Sequence, residues 1–208
     1  MEVEMDFARR ISTFSEVVSR AACTNSANMP IALEASLILV MGHLCKLKQR
    51  DSKLYIIGNG GSAAVASHAL VDFVNVAKID AQVLHESSLI TCMANDYGYD
   101  VAYARVLSAF MKAEDILIAI SSSGKSLNIC NAAKAAKEKN AIVITLTGFS
   151  EDNPLRQLGD INFWLDSNDY GYVEVGHQFI LHNLSDRFGV ESKNLQLKTE
   201  EKVTPVYA

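Results

Sequence analysis

His68 and Asp72 stand four residues apart, as do Glu174 and Gln178, and Gln178 and His182. On an α-helix that spacing stacks side chains on one face. The two stretches together offer two imidazoles and two carboxylates, groups that can take up and return a proton or ligate a divalent cation. Two further segments carry chemistry of another kind. Gly58-Asn59-Gly60-Gly61-Ser62 and Ser121-Ser122-Ser123-Gly124-Lys125-Ser126 each follow a short apolar run and precede a helical pattern. Main-chain N–H groups at a helix start, joined by hydroxyls, suit a phosphate monoester. One such loop reads equally well as a tight turn or a helix cap; two at equivalent places read as a binding site. The Gly-Lys-Ser ending of the second invites a nucleotide P-loop, but that motif requires glycine where this chain has Ala119. No nucleotide cofactor is expected.

The elements that must position these groups are legible in the apolar runs. Leu54–Ile57, Ile116–Ile120, Ala141–Leu146 and Ile161–Leu165 have strand length, and helical patterns follow from the first glycine loop, over Ser126–Lys139 and over about Val173–Arg187. Repeated strand–turn–helix units with near-continuous apolar strands predict a parallel sheet covered on both faces, with ligands at the carboxyl ends of its strands. Upstream, residues 5–49 show helical spacing, richest from Ile31 to Leu44. Two helices are expected there, broken around Asn28-Met29-Pro30 with Pro30 in the first turn of the second. Residues 1–191 are expected to form one domain, its N-terminal helices filling about residues 1–50. Residues 192–208, polar and holding Pro205, are expected to be a flexible tail.

Composition narrows the function classes. The 208 residues carry 19 Lys and Arg against 24 Asp and Glu, a net charge of −5, which excludes a basic nucleic-acid clamp. No apolar run approaches the roughly 20 residues of a membrane span. The start, Met-Glu-Val-Glu-Met-Asp, lacks the features of a secretory signal, so a cytoplasmic location is expected. Cys23, Cys45, Cys92 and Cys130 are unpaired in spacing and read as buried thiols of a reducing compartment. His43 and His85 read as structural.

Four segments in order, Gly58–Ser62, Ala94-Asn95-Asp96-Tyr97-Gly98, Ile120–Ser126 and Ile144-Thr145-Leu146-Thr147-Gly148, resemble the sugar isomerase (SIS) domain in its phosphoheptose isomerase branch. The resemblance spans roughly residues 30 to 188. It implies a three-layer, flavodoxin-like α/β fold and a homo-oligomer, with a tetramer expected, whose active sites lie between subunits. It also implies aldose–ketose isomerisation of a phosphosugar, sedoheptulose 7-phosphate to a heptose 7-phosphate, through an enediol. His68 and His182 match the family's histidines, Asp72 stands where the family has the glutamate taken as its base, and Glu174 where it has glutamine. Lys125 replaces a residue that is commonly Asn, and Gly171-Tyr172-Val173 is unlike the usual Arg-Ile-Gln run. The roles implied are Asp72 as base and His182 as proton shuttle. Asn59, Gly60, Gly61, Ser62, Asn95, Asp96, Ser121, Ser122, Ser123, Ser126 and Glu174 would bind substrate, with Asp96 expected near a strand end. A zinc ion, one per subunit, is implied on His68, Asp72, Glu174 and His182, an ordinary hydrogen-bonded cluster being the alternative. The competing function is a non-catalytic SIS protein, either a sugar-phosphate sensor or an assembly factor that binds the replication initiator. No nucleic-acid or membrane partner is expected.

Overall fold

The computed structural model describes residues 6–203, with side chains through Val190. Helix α1 (Phe7–Ser19) leads to strands β1 (Ala22–Asn25) and β2 (Pro30–Ile31), and helix α2 (Leu33–Gln49) follows. Then come β3 (Leu54–Ile57), α3 (Gly61–Asp72), β4 (Ala81–Val83), α4 (Ser87–Tyr97), α5 (Ala102–Phe110), β5 (Ile116–Ser121) and α6 (Leu127–Glu138). The chain closes with β6 (Ile142–Thr147), β7 (Ile161–Trp164) and α7 (Tyr170–Val203).

The seven strands form one sheet in the order β2-β1-β7-β6-β5-β3-β4. Its five strands from β4 to β7 are parallel, and their order has the flavodoxin-like pattern 2-1-3-4-5 counted from β3. Alternation along the strands sorts the core into two layers. Leu54, Ile56, Ile116, Ile118 and Ile120 face α2, α3 and α7, while Tyr55, Ile57, Leu117 and Ala119 face α5 and α6. The expected three-layer α/β architecture is what the chain adopts.

Three expectations need correction. The break at Asn28–Pro30 is a β-hairpin: Asn25 Oδ1 accepts main-chain N–H groups of Ala27 and Met29, each at 3.0 Å, and Asn28 takes a φ of 56°. Pro30 therefore lies in β2, at the sheet edge where a missing N–H costs nothing, and α2 starts at Leu33. Pairing of β1 with β7, antiparallel from Ala22↔Trp164 to Asn25↔Ile161, overrides the helical spacing of this stretch. The last helix, expected to end at about Arg187, continues to Val203, and residues 204–208 lie outside the described residues. Residues 191–203 are mostly good helix formers, with proline reached only at Pro205. Finally, Cys23 and Cys130 are buried as expected, but Cys45 is half-buried and Cys92 is exposed, the latter because it sits on α4, which buries no residue.

Candidate active site

β3 leads outward to β4, whereas β5 leads the other way to β6 and β7, so the sheet order reverses between these two adjacent strands. The helices that follow them, α3 and α6, pack on opposite faces. A crevice opens between the carboxyl ends of β3 and β5, the place where such sheets bind ligands. Both glycine- and serine-rich loops end there. They line a cavity of about 250 Å3 through Asn59, Gly60, Gly61 and Ser62 on one side and Ile120, Ser121, Ser122, Ser123 and Ser126 on the other. Tyr170 and Glu174 of α7 complete it.

The serine loop is held by its own main chain. Gly124 N–H donates to the Ser121 carbonyl at 3.0 Å, and Gly148 N–H at the end of β6 donates to the Ser122 carbonyl at 2.9 Å. The hydroxyls are less committed. Ser121 donates to Ser126 Oγ at a long 3.3 Å, Ser123 Oγ accepts from Lys125 N–H at 3.3 Å, and the buried Ser122 hydroxyl has no partner among the described residues. No cation among the described residues lines this cavity; its attraction for anions comes from hydroxyls and from the N-termini of α3 and α6. Glu174 is the charged liner, and its place is made by glycine. A Cβ at Gly61 would fall 2.3 Å from both Glu174 carboxylate oxygens.

Farther along α3 and α7 lies the second group. Asp72, 9% exposed, is bonded through Oδ2 to His182 Nδ1 at 2.8 Å, and His68 Nε2 approaches the same oxygen at 3.4 Å. The imidazole rings meet edge to face at 5.7 Å. Ligand atoms of the three residues lie within 4.8 Å of one another, a two-histidine, one-carboxylate set open to solvent because both histidines are about half exposed. Such a set fits a divalent cation with nitrogen and oxygen preferences, such as zinc. Directly after Asp72 the helix widens into a π-helical turn, Phe73–Ala77, a feature frequent at functional sites. From the serine cavity to this cluster the distance along the helices is on the order of 10 Å, six residues separating Ser62 from His68.

Two expected placements differ. Glu174 stands with the serine cavity and is not part of the compact ligand set. Asn95 and Asp96 occupy the exposed last turn of α4, not a strand end, where Asn95 Nδ2 donates to Asp96 Oδ1 at 3.0 Å; neither lines the cavity. The segment matters through the residue after it: the Tyr99 hydroxyl donates to Asn59 Oδ1 at 2.8 Å. Tyr170 is a cavity residue that pattern reading missed. Its signal was an aromatic residue directly after Asp169, whose Oδ1 accepts the N–H of Gly171 at 2.7 Å and starts α7. His85, expected to be structural, bonds through Nε2 to Ser67 Oγ at 2.8 Å. A larger hollow of about 650 Å3 lies beside Arg156, but that guanidinium is committed to Glu151, to its carbonyl at 2.8 Å and its carboxylate at 3.3 Å.

The sequence profile of the SIS domain matches residues 16–148. The phosphoheptose isomerase of Pelobacter propionicus is 33% identical over 144 residues, covering 66% of this chain and 76% of that protein. The phosphoheptose isomerase of Mycobacterium tuberculosis is 36% identical over 141 residues, covering 65% and 71%. The structure of a phosphoheptose isomerase from Francisella tularensis superposes with a TM-score of 0.76 at 25% identity, over 89% of this chain and 98% of that one. With the ordered loops at the sheet's switch point and a matching fold over nearly the whole of a solved relative, the chain belongs to the SIS domain family, in its phosphoheptose isomerase branch.

Proposed function

We propose that the protein isomerises a phosphosugar between ketose and aldose, taking sedoheptulose 7-phosphate to D-glycero-D-manno-heptose 7-phosphate. One observation carries the reading: a cation-free serine cavity suited to phosphate stands beside an Asp–His pair on the same two helices. The likeness to proteins named phosphoheptose isomerase supports it. The phosphate sits among Ser121, Ser122, Ser123 and Ser126, away from the Glu174 carboxylate, which repels it and instead accepts from sugar hydroxyls. Asn59, Gly60, Gly61 and Ser62 close the other side. Asn95 and Asp96, expected to bind substrate, reach it only if a ligand or a second subunit extends to α4.

Isomerisation needs a proton taken from the carbon next to a carbonyl and returned to the neighbouring carbon, with protons exchanged between the two oxygens. Asp72 is the base through its carboxylate. His182, tied to Asp72 through Nδ1, presents Nε2 to carry the proton between oxygens. Were a zinc ion bound, one per subunit, His68, Asp72 and His182 would hold it, and it would polarise the substrate's carbonyl and hydroxyl oxygens in place of the proton-carrying imidazole.

The same reading includes assembly. Val71, Val74, Val175 and Phe179 are exposed on the two helices that carry the cluster, Ile38 and Leu39 are exposed on α2, and α1 buries no residue. These surfaces suit a homo-tetramer with sites between subunits. The unit is one domain over residues 1–191, placed in the cytoplasm; no described helix is long and apolar enough to cross a membrane. A sensor or an assembly factor for the replication initiator needs the serine cavity but not a base paired with an imidazole, which is why the enzyme is favoured. The test is incubation with sedoheptulose 7-phosphate in deuterated water. Aldose product and deuterium on carbon are expected; absence of both overturns the isomerase.

A further inference from the structure

One side-chain bridge joins the two walls of the crevice. Asn59 Nδ2 donates to Asn128 Oδ1, and Asn128 Nδ2 donates to Asn59 Oδ1, both at 2.9 Å. Asn59 belongs to the loop after β3, and Asn128 to the first turn of α6 on the other face of the sheet. The amide orientations follow from their neighbours. Asn128 Oδ1 also accepts from Ile129 N–H at 3.0 Å, so its Nδ2 must be the donor to Asn59. Asn59 Oδ1 accepts a second bond from the Tyr99 hydroxyl at 2.8 Å. Around this pair, Tyr103, 1% exposed, donates to the Gly58 carbonyl at 2.9 Å, and Asn131 Nδ2 fastens α6 to the Asp100 carbonyl at 2.9 Å. The turn after α4 is thereby bolted both to the glycine loop and to the helix that follows the serine loop.

We infer that Asn128 is a positioning residue for the isomerisation, acting through Asn59 to fix the gap between Gly60-Gly61 and the serines. Asn128 is 2% exposed and does not line the cavity, so it touches no substrate. What it sets is how far the anchored phosphate lies from the glycine loop, and so where the reacting carbons fall relative to Asp72. A shift of about 1 Å in such a placement costs on the order of 100-fold in rate. The segment around Asn95 gains a role by the same route: it delivers Tyr99 and Tyr103 to the bridge. The inference rests on the isomerase reading above.

The test is Asn128→Asp, which keeps the shape and replaces the donor facing Asn59 Oδ1 with a second acceptor. Near pH 8, kcat is expected to fall about 10- to 100-fold, with the inorganic phosphate Kd held within about 3-fold because the serines are untouched. Once protonated, the introduced carboxyl regains one donor and one acceptor, so the ratio of wild-type to variant kcat should shrink toward 1 between about pH 8 and about pH 5, where a buried carboxyl is neutral. Should Asn128→Asp not fold, Asn59→Asp places the same acid on the half-exposed side of the bridge and is read by the pH dependence of its kcat ratio alone, because Asn59 lines the cavity and its charge also weakens phosphate binding near pH 8. A wild-type kcat in the variant, or a deficit that does not vary with pH, overturns the inference. If the wild-type protein turns over no phosphosugar, it is the isomerase reading that fails. Amide hydrogen exchange at Gly60 and Gly61 then decides the bridge: faster exchange in the variant at pH 8, reversed at pH 5, sustains it, and unchanged exchange overturns it.

Discussion

His182 Nδ1 lies 2.8 Å from Asp72 Oδ2, so a carboxylate that is nearly buried and an imidazole that is half exposed form one unit across two helices. Removing either half separates the proton acceptor from the group that carries the proton onward. Asp72→Asn keeps the volume and removes the base, and a loss on the order of 100- to 10,000-fold in kcat is expected. Deuterium incorporation should fall in parallel. Activity within about 3-fold of wild type would remove Asp72 from the base role.

The same geometry separates two metal hypotheses. With Glu174 at the serine cavity, Glu174→Gln should leave zinc affinity within about 3-fold, whereas His68→Ala removes a ligand atom and should weaken it at least about 10-fold. Competition with a chromogenic chelator measures both. A large loss in Glu174→Gln would show that the carboxylate swings to the ion, restoring the four-residue set expected from sequence.

A Cβ would meet a neighbour at both Gly61 and Gly124, but of different kinds, and the consequences should differ. At Gly61 a Cβ meets the free end of Glu174, which can swing away, and alanine favours the first helical turn. Gly61→Ala should therefore keep its melting temperature while losing substrate affinity. At Gly124 the backbone has a φ of +63° and a Cβ would fall 1.8 Å from Asn153 Oδ1, which is itself bonded to Arg156 N–H at 3.0 Å. Gly124→Ala should lose stability by about 1–3 kcal/mol as well as binding. Denaturant titration and calorimetry on the two variants check the contrast.

Most of the architecture was legible because buried parallel strands announce themselves. Leu54–Ile57 and Ile116–Ile120 are apolar on both faces and end in loops rich in glycine or serine, and both loops meet at the crevice. The β1–β2 hairpin was not legible, since its strands are short and β1 is held by β7, more than a hundred residues away. That Glu174 stands apart from the compact His–Asp set was not legible for a related reason. Helical spacing puts it on a face with His182, but eight residues is two turns and more, so one face passes first the cavity and then the cluster. Asn128 carried no signal beyond being one more polar residue at a helix start.

Ser122 presents a stability and function conflict. Its hydroxyl is buried without a partner beside the cavity, a situation that costs about 1–3 kcal/mol in the ligand-free fold. A group kept at such expense is explained if a small rotation lets it bond phosphate. Ser122→Ala should raise the unfolding free energy of the free protein and weaken phosphosugar binding, each by roughly 1–3 kcal/mol. Ser121→Ala with Ser123→Ala should weaken binding without the gain in stability, since those hydroxyls already have partners. Unchanged affinity in both variants would reduce the loop to a helix cap.

His177 gives the fold a specific acid sensitivity. It is wholly buried on α7, and its Nε2–H donates to the Thr147 carbonyl at 3.0 Å, while burial pushes its pKa down from 6.5 to about 4. The folded state thus binds a proton less readily than the unfolded chain. The stability tied to the neutral ring is present above about pH 6.5 and is lost as pH falls toward the folded pKa of about 4. At pH 5 the loss from this one group should be roughly 2 kcal/mol relative to pH 7, from the ratio of the two protonation equilibria. His177→Gln can still offer an N–H to Thr147 and has nothing to titrate. Urea unfolding of both proteins at pH 7 and pH 5 should show the wild type losing about that much more than the variant. Equal losses would mean that the ring finds a proton acceptor on protonation, for which its unpartnered Nδ1 is the candidate atom.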